Sequence, residues 1–153
     1  MGKIKKIYLG ADHAGFKLKE RIKKYLGLKG IVYEDLGTHS LESVDYPDYA
    51  IGVAKKVAKK NNARGILICG TGTGMAIAAN KVKGIRAVAA YDRYSAKMSR
   101  LHNNANILAL RGRFFPFEKI KKIVSVWLAT PFSQKARHKR RINKIKQFEE
   151  NGS

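Results

Sequence analysis

Cys69 is the single thiol of a 153-residue chain, and it stands immediately before Gly70-Thr71-Gly72-Thr73-Gly74. The residues ahead of it, Gly65-Ile66-Leu67-Ile68-Cys69, form an apolar run that predicts a strand covered on both faces. That places the sulfur at the strand's carboxyl end. Glycines there permit the left-handed and close-approach conformations with which successive backbone N–H groups surround an anion. Met75 to Lys81 predicts a helix behind the loop, whose positive end faces the same spot. A nucleophile or base therefore lies beside donors suited to a developing oxyanion. Packing is the competing explanation, because free cysteine is commonly a buried small hydrophobe.

Further chemistry-bearing residues follow from the order of the elements. Strand-like runs recur at Ile4 to Gly10, Ile31 to Leu36, Gly65 to Cys69, Ile85 to Ala90 and Asn106 to Leu110. Helical patterns separate them, the clearest carrying Leu18, Ile22, Tyr25 and Leu26 on one face. Others lie near Pro47 to Lys60, Tyr94 to Asn103 and Pro116 to Thr130, and a basic C-terminal helix spans about 131–150. Alternation of this kind predicts an α/β domain over residues 1–153, a three-layer α/β/α sandwich around five parallel strands with right-handed crossovers. Ligands of such sheets bind beyond the strands' carboxyl ends. Asp12 and His13 follow the first strand, Cys69 and its glycines the third, and Arg111 and Arg113 the fifth. Singly, Asp12 serves equally as a helix cap and His13 as a polar loop residue. Their common placement on one edge favours a site.

The formal net charge of +21, from 32 Lys and Arg against 11 Asp and Glu, raises binding to nucleic acid as a rival role. Much of that charge is lysine at helix-surface spacing, as in Lys17, Lys19, Lys23 and Lys24, which reads as a solvated face. No aromatic RNA-binding signature, helix-turn-helix or paired zinc ligands accompany it. Specific nucleic-acid binding is therefore not expected. One cysteine permits neither an intramolecular disulfide nor a structural zinc cluster, so a reducing cytoplasmic setting is the default. The apolar stretch after the basic amino terminus ends at Asp12, too short for a signal peptide or membrane span.

The glycine loop is not a dinucleotide fingerprint. That pattern needs G-x-G-x-x-G, but here the third glycine falls one place early at Gly74 and Met75 holds the diagnostic position. Asp92 does lie about where a ribose-binding acid would stand. The first loop, from Gly10 to Lys17, lacks the Gly-Lys-Ser/Thr ending of a P-loop.

Several separated segments resemble one family, the type B ribose-5-phosphate isomerases, which also include galactose-6-phosphate isomerase subunits. The segments are Gly10-Ala11-Asp12-His13-Ala14-Gly15-Phe16, Asp45-Tyr46-Pro47, Ile68 to Gly74, Ala79-Asn80-Lys81, Gly84-Ile85-Arg86-Ala87, His102-Asn103 and Arg137-His138. They occur in order over nearly the whole chain. The resemblance implies a Rossmann-like sheet and aldose–ketose isomerisation of a phosphorylated sugar in the pentose phosphate pathway, with no cofactor and no metal.

By that resemblance Cys69 is the base that moves a proton between C1 and C2, and the amides of Gly70, Thr71, Gly72, Thr73 and Gly74 bind the enediolate, with Thr71 in the catalytic set. Some relatives carry a glutamate just after the glycines, but Met75 occupies that place here. His102 matches the acid that opens the sugar ring, Asp12 the residue assisting at a hydroxyl, and His13 and Asn103 substrate-binding positions. Arg113, Arg137 and Arg141 match phosphate contacts, and guanidinium groups offer bidentate geometry for them. The resemblance further implies a homodimer or a dimer of dimers, in which Cys69 of one subunit works with His102 of the other. The alternatives are an isomerase of a hexose 6-phosphate, of allose or galactose type, and a basic nucleotide- or RNA-binding α/β domain.

Overall fold

A computed structural model describes residue 4 and residues 6–152. Five parallel strands, β1 (Lys6–Ala11), β2 (Tyr33–Asp35), β3 (Ala63–Cys69), β4 (Ala87–Ala89) and β5 (Ile107–Arg111), form one sheet in the order β2-β1-β3-β5-β4. The first strand begins two residues later than predicted, since Ile4 precedes it and Lys5 lies outside the described residues.

Side chains alternate across the sheet and so build two cores. Ile66 and Ile68 of β3 pack with Leu18, Ile22 and Leu26 of α1 (Phe16–Leu28), Ala96 of α4 (Arg93–Asn103) and Ile120, Val124 and Trp127 of α5 (Phe117–Ala129). Leu67 and Cys69 point the other way, against Val53 and Val57 of α2 (Tyr46–Ala58) and Met75 and Ala79 of α3 (Thr73–Ala79). The expected three-layer sandwich is thereby formed. Burying an aliphatic side chain of this kind contributes about 1.5–3 kcal/mol, and both faces of β3 do so.

Three expectations need correction. The helix after the glycine loop begins at Thr73 rather than Met75, so Thr73 and Gly74 belong to its first turn. The last helix, α6 (Ala136–Glu150), starts well after Pro131. Residues 131–135 stay irregular because the Ser133 N–H donates to the Leu101 carbonyl at 3.0 Å, Gln134 takes a positive φ of 59° and Lys135 is extended. Lys19 is not on a solvated face. It is fully buried, paired with Asp35 and, at 3.0 Å, with Glu20, while Lys23 reaches Asp35 at 2.9 Å.

Part of the positive charge is likewise structural. Arg64 and Arg100 turn inward and donate to backbone carbonyls, Arg64 to Trp127 and Leu128 and Arg100 to Thr130 and Ala105. Burial lowers Arg100 to about 9, with repulsion from Arg64 and Arg86 adding to the effect.

Candidate active site

β1 and β3 are neighbours from which the chain departs in opposite directions, which opens a crevice at their carboxyl ends. Cys69, the last residue of β3, is 6% exposed there. Its Sγ accepts the Gly72 N–H at 3.1 Å, a donor that interacts more strongly with an anionic sulfur than with a neutral one. Gly72 caps α3 at φ +83°, and a Cβ on it would stand 3.1 Å from the Leu110 carbonyl carbon and oxygen. Only glycine suits that position. The first turn of α3 adds N–H groups without intrahelical partners.

The neighbouring loops are tied to the same strand end. The Asp12 N–H donates to the Ile68 carbonyl at 3.2 Å, and the buried Asp12 carboxylate accepts the Gly15 N–H at 3.0 Å, so it shapes its own turn. A Cβ on Gly15 would come within 2.2 Å of the Ile68 oxygen, which shows how closely this loop presses on β3. His13 accepts the Val44 N–H at Nδ1, 3.2 Å away, leaving Nε2 as the protonated nitrogen of the neutral ring. From β5, the Gly112 N–H donates to the Cys69 carbonyl at 2.8 Å and the Arg113 N–H to the Gly70 carbonyl at 3.3 Å. Arg113 Nη1 lies 3.9 Å from where a Cβ on Gly70 would be. Asp12, His13, Cys69, Gly70, Thr71, Gly72, Thr73, Gly74 and Arg113 thus meet at one edge. An enediolate requires a base, hydrogen-bond donors and cations in such an arrangement.

His102, Asn103, Arg137 and Arg141 lie elsewhere. α4 leaves β4 at the carboxyl end and returns, so its last residues reach the amino end of the sheet, about 16 Å away for 11 residues. Two contacts fix this placement: Arg86, just before β4, donates from Nε to the Asn103 carbonyl at 2.9 Å, and the Asn106 carbonyl accepts the Gly65 N–H at 2.9 Å. The His102 ring lies 4.4 Å from that of His138, between centroids, and Arg137 and Arg141 on the same helix as His138 are exposed. The two groups of residues therefore lie at opposite ends of the sheet. Asp92, at the spacing of a ribose-binding acid, instead caps α4 by accepting the Ser95 N–H at 2.7 Å.

The sequence model of the Ribose/Galactose Isomerase family matches residues 7–145. The chain belongs to the ribose/galactose isomerase family. It is 46% identical over 147 residues to the ribose-5-phosphate isomerase B of Escherichia coli, covering 96% of this chain and 98% of that one. A solved ribose-5-phosphate isomerase B from Clostridium thermocellum superposes with a TM-score of 0.92 at 47% identity, over 97% of this chain and 99% of that one. Another, from Mycoplasma genitalium with bound ribulose-5-phosphate, gives 0.91 at 42% identity over 95% and 96%.

This family member also has contacts that sequence reasoning missed. The Tyr91 hydroxyl donates to the Thr71 carbonyl at 2.9 Å and stands 3.2 Å from Thr73 Oγ1, bridging the glycine loop. Tyr91 follows β4, and extending the strand-end rule to that strand would have found it. The Tyr46 ring packs against Gly74, where a Cβ would meet it at 2.7 Å. His138 was visible only as the neighbour of Arg137, since its contacts depend on how α6 docks on α4.

Proposed function

We infer that the chain is a cytoplasmic ribose-5-phosphate isomerase that interconverts ribose 5-phosphate and ribulose 5-phosphate, working as a homodimer or a dimer of dimers. The observation that carries the reading is Cys69 at a strand end, its sulfur held by the Gly72 N–H, with Asp12 and Arg113 at the same edge. His102 protonates the ring oxygen as its bond to C1 breaks and the anomeric hydroxyl loses its proton, which opens the sugar to the aldehyde. The Cys69 thiolate removes the C2 proton of the open aldose, electrons move to the C1 carbonyl oxygen, and the glycine-loop amides bind that charge. The same proton returns to C1 while the C2 hydroxyl gives up its proton and O1 takes one, which yields the ketose with no net change in electrons or protons. Asp12 assists the hydroxyl proton, Thr71 belongs to the loop that binds the enediolate, and His13 and Asn103 hold the sugar. Arg113, Arg137 and Arg141 grip the phosphate.

A two-fold partner supplies what one chain leaves distant. The separation of the two groups of residues supports this arrangement, as do the exposed Arg137 and Arg141. Phe114, 90% exposed beside Arg113, and Phe148, 65% exposed on α6, are apolar surface suited to burial between subunits. The free thiol of Cys69 suits a reducing compartment. Turnover of ribose 5-phosphate, allose 6-phosphate and galactose 6-phosphate tests the substrate, with the pentose expected to give the highest kcat/KM. In parallel, Cys69→Ala should abolish turnover yet still bind a phosphorylated sugar. Near-normal turnover in the folded variant would remove the thiol from the mechanism.

A further inference from the structure

His138 is 3% exposed and lies among groups proposed to touch substrate, although the mechanism above does not use it. Arg137 donates from Nε to His138 Nε2 at 3.3 Å, which makes Nε2 an acceptor. The ring proton therefore sits on Nδ1, facing Ser133 Oγ at 2.6 Å. Ser133 is anchored in turn, its N–H on the Leu101 carbonyl, one residue before His102. The His138 ring also packs against that of His102, centroids 4.4 Å apart and planes tilted by 41°. The ring thus joins α4, the 131–135 segment and α6.

We propose that His138 is a positioning residue, whose neutral Nδ1–H form clamps Arg137 by its Nε so that the guanidinium presents Nη1 and Nη2 to the substrate phosphate. Arginine gains its hold on phosphate from a fork of two parallel donors, and a fixed Nε leaves the terminal fork free in one orientation. The surroundings keep the ring neutral. Burial pushes its titration down, and His102 from α4, Lys135 from the preceding segment, and Arg137 and Arg141 from α6 oppose a further positive charge. A protonated ring would lose its acceptor and release Arg137.

The proposal rests on Arg137 as a phosphate contact, and its test separates the two claims. The probe is inorganic phosphate as a competitive inhibitor of ribose 5-phosphate turnover, its Ki measured for each folded variant. His138→Gln places an amide oxygen near the Nε2 position, and His138→Asn reaches only the Nδ1 position. His138→Leu keeps volume with no acceptor. Loss of the clamp should raise Ki about tenfold in the Leu and Asn variants, with Gln staying within about threefold of wild type. In an Arg137→Ala background, His138→Leu should add nothing further, whereas a purely structural role would persist there. Should the Leu variant not fold, the Gln and Asn pair decides, and equal Ki values for those two overturn the clamp. Weak phosphate binding in Arg137→Ala with wild-type binding in His138→Leu would also overturn it. An unchanged Ki in Arg137→Ala would instead remove Arg137 from the phosphate site and the clamp with it.

Discussion

Replacing Gly72 by alanine perturbs the backbone and the thiol together. At φ +83° an L side chain costs about 1–2 kcal/mol, and the 3.1 Å approach to the Leu110 carbonyl prevents easy relief. The peptide escapes by rotating, which withdraws the Gly72 N–H from Cys69 Sγ. A hydrogen bond to a charged group contributes about 1.5–3 kcal/mol, so kcat should fall by about 10- to 150-fold. Gly84→Ala is the matching control: φ is +82°, nothing lies within 4 Å of the added Cβ, and the residue is at the opposite end of the sheet from Cys69. Both variants should lose about 1–2 kcal/mol of stability, near 2–8 °C in Tm. Only Gly72→Ala should lose turnover, read from steady-state kinetics of ribose 5-phosphate isomerisation beside thermal melts. A folded Gly72→Ala enzyme with unchanged kcat would refute the reasoning, as would a Gly84→Ala enzyme equally impaired.

Arg137→Ala combined with Arg141→Ala should raise KM for ribose 5-phosphate and the Ki of phosphate far more than it lowers kcat, because the phosphate they are proposed to hold is a non-reacting end of the substrate; an unchanged Ki contradicts that role. Burial alone would raise the Asp35 carboxyl, but hydrogen bonds from Lys19, Lys23 and the Gly37 N–H outweigh it and hold the group below its usual range. A depressed carboxylate stabilises the fold above its unfolded pKa, and the contribution is lost as pH falls below about 4. Asp35→Asn should therefore cost about 3 kcal/mol at pH 7, with the gap from wild type narrowing by pH 3 in denaturant titrations; a gap of constant size contradicts the sign.

The edge of the sheet was legible because strand-to-loop order places residues without any knowledge of packing. Asp12 and Arg113 follow strands and Cys69 ends one, and parallel strands bring their carboxyl ends together. Lys19 was misplaced because its spacing matches that of Lys23, and only the approach of Asp35, from a different element, separates a buried ammonium from a solvated one. The start of α6 depends on Ser133 binding the end of α4, a contact 32 residues away in sequence. Tyr91 and His138 act through docked neighbours, which no local pattern records. The separation of Cys69 from His102 follows from α4 running back along the sheet, and the same alternation that predicted the helix carries that consequence.

Subunit complementation tests the proposed sharing of the active site most directly. Cys69→Ala and His102→Ala chains, each inactive alone, are mixed under full exchange, and random pairing makes about half the dimers mixed. Each mixed dimer has one site with both lesions and one with neither, so activity should recover to about a quarter of wild type. Verified exchange with no recovered turnover would contradict the proposal that Cys69 and His102 act across the subunit boundary.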